Sequence, residues 1–125
     1  MTIPEILIIA LITIESGGDP TALGDYRNGE PTAWGCLQIR EICVDDINRI
    51  YGTKYVHEDA FDKGKAIDMC RMYLSHWAAP ERLGRDATME DMARIWQSGP
   101  NGWRKRTDNG DEYWYRVRSV IEGRE

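Results

Sequence analysis

Glu15 closes an apolar run, Ile12-Thr13-Ile14-Glu15, and opens a polar, glycine-rich one, Ser16-Gly17-Gly18-Asp19-Pro20. A carboxyl on the last turn of a helix faces the negative end of the macrodipole, and apolar neighbours strip water from it. Both effects raise its pKa, which makes Glu15 a candidate general acid, still protonated near neutral pH. A solvated glutamate ending a helix is the alternative reading. Asp25 and Glu30 follow on either side of Asn28-Gly29. Asp19, next to Pro20, reads as a turn residue.

Other groupings carry less chemistry. His57-Glu58-Asp59 gives no convergent metal geometry and reads as a charged loop. His76 falls on the flank of a helix. Asp108-Asn109-Gly110-Asp111 lacks the remaining ligands of a calcium loop and reads as a turn. Ser16 has no nearby His to activate it, so a hydrogen bond at the helix end is its expected role. Cys36, Cys43 and Cys70 show no metal spacing, and an odd number leaves one unpaired; reduced core thiols are expected. No metal and no cofactor is expected.

The elements that must position these residues are legible in the periodicity. The apolar stretch Ile6 to Ile14 is a buried helix, with Thr2 and Glu5 at capping-box spacing and Pro4 in the first turn. Asn28-Gly29 predicts a short β-hairpin with Asp25 on the outgoing strand and Glu30 on the return. Leu37, Ile39, Ile42, Cys43, Ile47, Ile50 and Tyr51 form a helical pattern closed by Gly52. A third helix spans about Asp62 to Trp77, burying Ala66, Ile67, Cys70, Tyr73, Leu74 and Trp77. Thr88 with Asp91 caps a fourth that carries Met92, Ala93, Ile95 and Trp96 and stops at Gly99-Pro100. A last helix runs from about Glu112 to Ile121. The expected class is α+β, mostly helical, with about five helices and one small β-hairpin.

Composition bounds the function. The chain has 125 residues, 42% hydrophobic and 30% charged, which suits a single domain over 1–125. Net charge is −5, with the acidic surplus in residues 1–80, which argues against general nucleic-acid binding. The Ile6 to Ile14 stretch is too short to span a bilayer, and no Lys or Arg precedes it as in a signal peptide. The expectation is a monomer made in the cytoplasm, with no membrane insertion.

Three blocks, in order, carry a resemblance. Glu15-Ser16-Gly17-Gly18-Asp19-Pro20 through Gly24-Asp25, then Trp34-Gly35-Cys36-Leu37-Gln38-Ile39, resemble the Glu-Ser and Gly-Leu-Met-Gln-Ile signatures of the lysozyme and lytic transglycosylase superfamily. Ala93-Arg94-Ile95-Trp96-Gln97-Ser98-Gly99-Pro100-Asn101-Gly102-Trp103, followed by Tyr113-Trp114-Tyr115-Arg116-Val117, is most similar to invertebrate-type lysozymes and their bacterial and phage relatives. Tyr73-Leu74 also resembles a Tyr-Met of those enzymes. The likeness spans about residues 10–120. Two departures stand out: a longer gap between Asp25 and Gly35, and only three cysteines, none on a family cysteine position. The second points away from a secreted animal enzyme and toward a phage lysin or a bacterial relative.

The resemblance implies a lysozyme-like fold and a peptidoglycan-cleaving glycosidase. Glu15 falls on the family's catalytic acid and Asp25 best matches its second carboxylate, with Glu30 the rival. Protonated Glu15 would donate to the glycosidic oxygen between N-acetylmuramic acid and N-acetylglucosamine, while ionised Asp25 steadies or attacks the anomeric carbon. A carboxyl separation of about 5–5.5 Å implies retention and about 6.5–9.5 Å inversion. A lytic transglycosylase would need Glu15 alone, and a non-catalytic wall-binding or virion domain would need neither. Gln38 and Tyr113 are the foremost sugar-binding candidates, joined by Trp34, Trp96, Ser98 and Asn101; core packing competes for Trp34 and Trp96. Trp103 is expected at a groove rim. The implied partner is the glycan strand of the cell wall, reached by release at lysis or as part of a virion.

Overall fold

The computed structural model describes residues 2–124 and is mostly helical with one two-stranded antiparallel hairpin, the expected α+β class. Its elements in chain order are α1 (Glu5–Ser16), β1 (Leu23–Arg27), β2 (Glu30–Trp34), α2 (Glu41–Tyr51), a 3₁₀ helix (His57–Phe61), α3 (Lys63–Trp77), α4 (Pro80–Leu83), α5 (Met89–Ser98) and α6 (Asp108–Ile121). The single turn α4 comes in addition to the five expected helices. It follows from Pro80 at the first helical position and from Gly84, which closes the turn at φ 79.

The chain divides into two compact units, one formed by residues up to 14 together with those from 74 onward, the other by residues 15–73. In the second unit, Asn28 and Gly29 have φ 52 and 80, both left-handed, as a two-residue hairpin turn of the primed type demands. The strands then pair Leu23 with Trp34, Gly24 with Ala33, Tyr26 with Pro31 and Arg27 with Glu30. An isolated hairpin is marginal in water, and β2 gains support from the 3₁₀ helix packed against it. The core here is Leu37, Ile39, Val44, Ile47, Met69 and Cys70, each at most 2% exposed.

Helix α2 shows where periodicity misled. Leu37 and Ile39 belong to a turn that precedes the helix, because Trp34 and Ile39 exchange backbone hydrogen bonds of 3.0 and 2.9 Å. Ile42 lies outside the core at 76% exposed. Gly52 ends α2 in the left-handed conformation, as expected.

In the other unit, Leu7, Ile8, Leu11, Leu74, Ile95 and Val117 are aliphatic side chains at most 1% exposed. Thr88 and Asp91 form the expected capping box of α5: each side chain accepts the other's backbone N–H. Helix α6, which packs against α5, begins four residues earlier than the sequence suggested. Asp108 to Asp111 is its first turn and no loop, since the Thr107 hydroxyl accepts the Gly110 N–H and supplies the missing cap.

Candidate active site

Glu15 is half-buried near the C-terminal end of α1. The end is held by the next residue: Ser16 Oγ donates to the Cys36 carbonyl at 2.8 Å and accepts the Gly18 N–H at 3.1 Å. Gly17 and Gly18 leave the helix with φ 65 and 94. Asp19 then takes the Thr21 N–H and hydroxyl, both at 2.9 Å, which makes it the turn residue expected. The negative charge of Glu15 is felt at the Cys70 thiol, which burial pushes well above its ordinary pKa with Cys43, Glu15 and Cys36 adding to the rise. Burial also drives Cys43 up to about 12. All three cysteines are free, and such thiols are poor nucleophiles at neutral pH.

The turn Trp34 to Arg40 is the hub of this unit. Gly35 donates to Ala22 O at 2.8 Å, with φ 82, and a Cβ there would stand 1.9 Å from the Ala60 carbonyl oxygen. Only glycine permits both the dihedral and that approach. Gln38 has φ 52, unusual for a residue with a long side chain. Its Nε2 donates to Ala22 O at 3.2 Å and Gly35 O at 3.0 Å, and its Oε1 lies against Gly24, where a Cβ would come within 2.2 Å. Gln38 therefore braces the loop from the inside.

Trp34 resolves partly toward packing: its Nε1 donates to Pro31 O at 2.9 Å, and its ring stacks on His57 with centroids 3.6 Å apart and on Phe61 at 5.2 Å. His57, read from sequence as part of a charged loop, is a structural ring at the head of the 3₁₀ helix. Its Nε2 lies 2.8 Å from the Ile39 carbonyl, so that nitrogen carries the proton. No local pattern announces this contact, because its partners stand 18 and 23 residues earlier.

Asp25 lies mid-strand in β1, yet its φ is 48 and it is absent from the ladder. The Thr32 hydroxyl across the hairpin donates to its carbonyl at 2.5 Å. Its carboxylate meets Arg40 Nε at 2.8 Å, Arg40 Nη2 at 2.6 Å and Arg27 Nη2 at 3.3 Å, all on Oδ2. The Arg40 hydrogen bond foremost, with its charge and with Arg27, holds this carboxyl below the usual carboxylate range. Glu30 is exposed at the turn end of the hairpin, opposite Arg27. Ser16, Trp34, Gln38 and Asp25 are thus linked to one turn.

Trp96, Ser98, Asn101 and Tyr113 lie in the other unit. Trp96 and Tyr113 are half-buried on α5 and α6, and Ser98 is exposed at the end of α5, where its hydroxyl bonds the Gln97 side chain. Asn101 Oδ1 accepts from Arg82 Nη2 at 3.0 Å and Arg104 Nη2 at 3.1 Å. Gly102 packs on the Arg94 carbonyl, 2.3 Å from where a Cβ would be, and fixes the loop against α5. Trp103 is half-buried with the guanidinium groups of Arg85 and Arg104 over its ring at 5.8 and 6.0 Å.

Behind this loop is a charged cluster that sequence reasoning passed over. Arg94, its side chain 4% exposed, pairs with Glu90 at 2.9 Å and Asp111 at 2.8 Å, joining α5 to α6. Among the described residues no group of His, Cys, Asp and Glu is arranged to hold a metal ion, and no helix is long and apolar enough to cross a membrane. Comparison with known proteins returns no matching family model and no matching curated protein.

Proposed function

We propose that the protein is a muramidase, cleaving the β-1,4 bond between N-acetylmuramic acid and N-acetylglucosamine, with Glu15 as general acid and Asp25 as the ionised second carboxylate. The observation that supports this most is the junction at the Trp34 to Arg40 turn. Ser16, next to Glu15, is anchored on Cys36, and Asp25 is tied to Arg40, so both carboxyl-bearing segments are attached to one turn. Backbone strain supports the same residues. Of the three non-glycine residues with positive φ among those described, Asn28 serves the hairpin turn, and the other two are Asp25 and Gln38. Such conformations cost about 1–3 kcal/mol each and gather at functional sites.

In this reading Gln38 and Trp34 shape the site, and Trp96, Ser98, Asn101 and Tyr113 are sugar-contact candidates. The substrate is the glycan strand of a bacterial wall, reached by a phage lysin at lysis or by a virion-associated form. Glu15→Gln should lower the rate of wall clearing roughly 10²- to 10⁴-fold, the range of a lost general acid. Equal clearing by wild type and Glu15→Gln would remove Glu15 as the general acid, and no clearing by either would leave only a wall-binding domain.

A second reading has its own support. Arg40 and Arg27 compensate the charge of Asp25, which suits a lytic transglycosylase in which Glu15 alone acts as acid and then base, and the muramic 6-hydroxyl attacks. Mass spectrometry of released sugars separates the two: reducing ends mean hydrolysis, and 1,6-anhydro ends, lighter by one water, mean transglycosylation.

A further inference from the structure

Arg40 occupies the N-cap position of α2 with extended backbone, φ −94 and ψ 157, yet its side chain makes no capping hydrogen bond. It reaches Asp25, fifteen residues earlier, and places Nε and Nη2 on a single carboxylate oxygen. The backbone of Asp25 is fixed separately by the Thr32 hydroxyl and by its left-handed φ. With the backbone held and the contacts all on Oδ2, Oδ1 is the oxygen outside the grip.

We propose that Arg40 is the positioning residue for Asp25, gripping Oδ2 so that Oδ1 is the oxygen presented to the anomeric carbon. The inference rests on the two-carboxylate reading of the site. A planar guanidinium supplies two donors in fixed relation, which a lysine ammonium cannot reproduce. The charged groups facing Asp25 are Arg40 at the head of α2 and Arg27 on its own strand; from β2 comes the neutral Thr32 hydroxyl. Arg27 sits farther away, at 3.3 Å, and is 68% exposed, so it tunes charge more than orientation. The Arg40 side chain is 47% exposed, and pairs of that kind contribute little to folding, so its variants should remain folded.

The test combines two measurements on Arg40→Gln, Arg40→Lys, Arg27→Gln and Asp25→Asn. The first is kcat and KM on purified peptidoglycan across pH; the second is the NMR titration of the Asp25 carboxyl carbon. Arg40→Gln should lower kcat roughly 10- to 100-fold with KM nearly unchanged, as a small misplacement of a reacting group does. Its Asp25 titration and the acid limb of the pH profile should both move up toward the ordinary value of about 3.9. Arg40→Lys should bring the titration back down without restoring kcat, and Arg27→Gln should shift the titration with little change in kcat. Wild-type kcat in Arg40→Gln, with Asp25→Asn inactive, overturns the inference alone, as does full recovery of kcat in Arg40→Lys. Wild-type activity in Asp25→Asn, with Glu15→Gln inactive, removes the two-carboxylate reading and the inference with it.

Discussion

The turn Trp34 to Ile39 and the loop Gly99 to Lys105 are both closed by a glycine pressed onto a carbonyl oxygen, Gly35 on Ala60 and Gly102 on Arg94. They differ in how their polar groups are satisfied. The first turn is held by side-chain donors on backbone carbonyls, with Ser16 on Cys36 and His57 on Ile39 reaching in and Gln38 on Ala22 reaching out. The second region is held by charge, with Arg82 on Asn101, Arg94 between Glu90 and Asp111, and Arg85 on Asp91. Hydrogen bonds from side chains to carbonyls specify geometry and respond little to salt. Ion pairs between side chains of adjacent segments hold secondary structure together but respond to salt and pH.

The strongest way to break this comparison is through the glycines. Gly35→Ala should cost about 4 kcal/mol or prevent folding, since a left-handed φ and a clash with backbone act together. Gly102→Ala has no such dihedral to violate and should cost about half as much, read from urea unfolding. Equal losses would mean that the two loops are rigid for the same reason.

Removing the charged clasp comes next. Arg94→Met should destabilise by about 2 kcal/mol, because Glu90 and Asp111 lose a buried partner but lie far enough out to regain water. Added salt should shrink the difference between wild type and this variant; a difference unchanged in 1 M NaCl would place the cost in packing. His57→Ala, by contrast, should lose about 1.5 kcal/mol, from the stack on Trp34 and the bond to Ile39, at any salt concentration.

The smallest effect is the acid dependence. Burial raises the pKa of Asp91, but the hydrogen bonds from Arg85 and Thr88 outweigh it and leave the group below its ordinary value. Asp25 is lowered too, mainly by Arg40. A carboxylate lowered on folding contributes stability above its unfolded pKa, near 3.9, and that contribution is lost as pH falls through the folded value. Urea midpoints taken from pH 5 down to 3 should therefore fall less steeply in Asp91→Asn than in wild type. Asp25→Asn should flatten the curve less, because its ion pairs are solvent-exposed. The reverse order would contradict the assignment of electrostatic support to the α5 region.

Much of the fold was legible in the sequence because its signals are local. Asn28-Gly29, Thr88 with Asp91, and Gly52 each act on neighbours within four residues, and the structure bears out the turn, the capping box and the helix stop. The start of α6 was missed because Asp108-Asn109-Gly110 has turn composition; Thr107, read only as part of a loop, is what makes it a helix. Of the site, the residues were legible but not their attachments. Arg40 stood next to the Gln38-Ile39 block without a visible task, and Arg94 sat inside a quoted motif as one more charged residue.

By itself, then, the sequence determined most of the elements, the hairpin turn, the Thr88 cap and the order of Glu15, Asp25 and Gln38 along the chain, since these depend on dihedral preference and short-range hydrogen bonding. Tertiary structure decided that Gln38 braces a left-handed turn, that His57 lies on Trp34, that Arg94 is buried, and that Asp25 is gripped through one oxygen. Those contacts join residues 15 to 23 positions apart, apart from Gln38 within its own turn and Arg94 with Glu90 on the same helix. The orientation of a side chain over such distances is set by the packing of whole elements, for which no short stretch of sequence carries a signal.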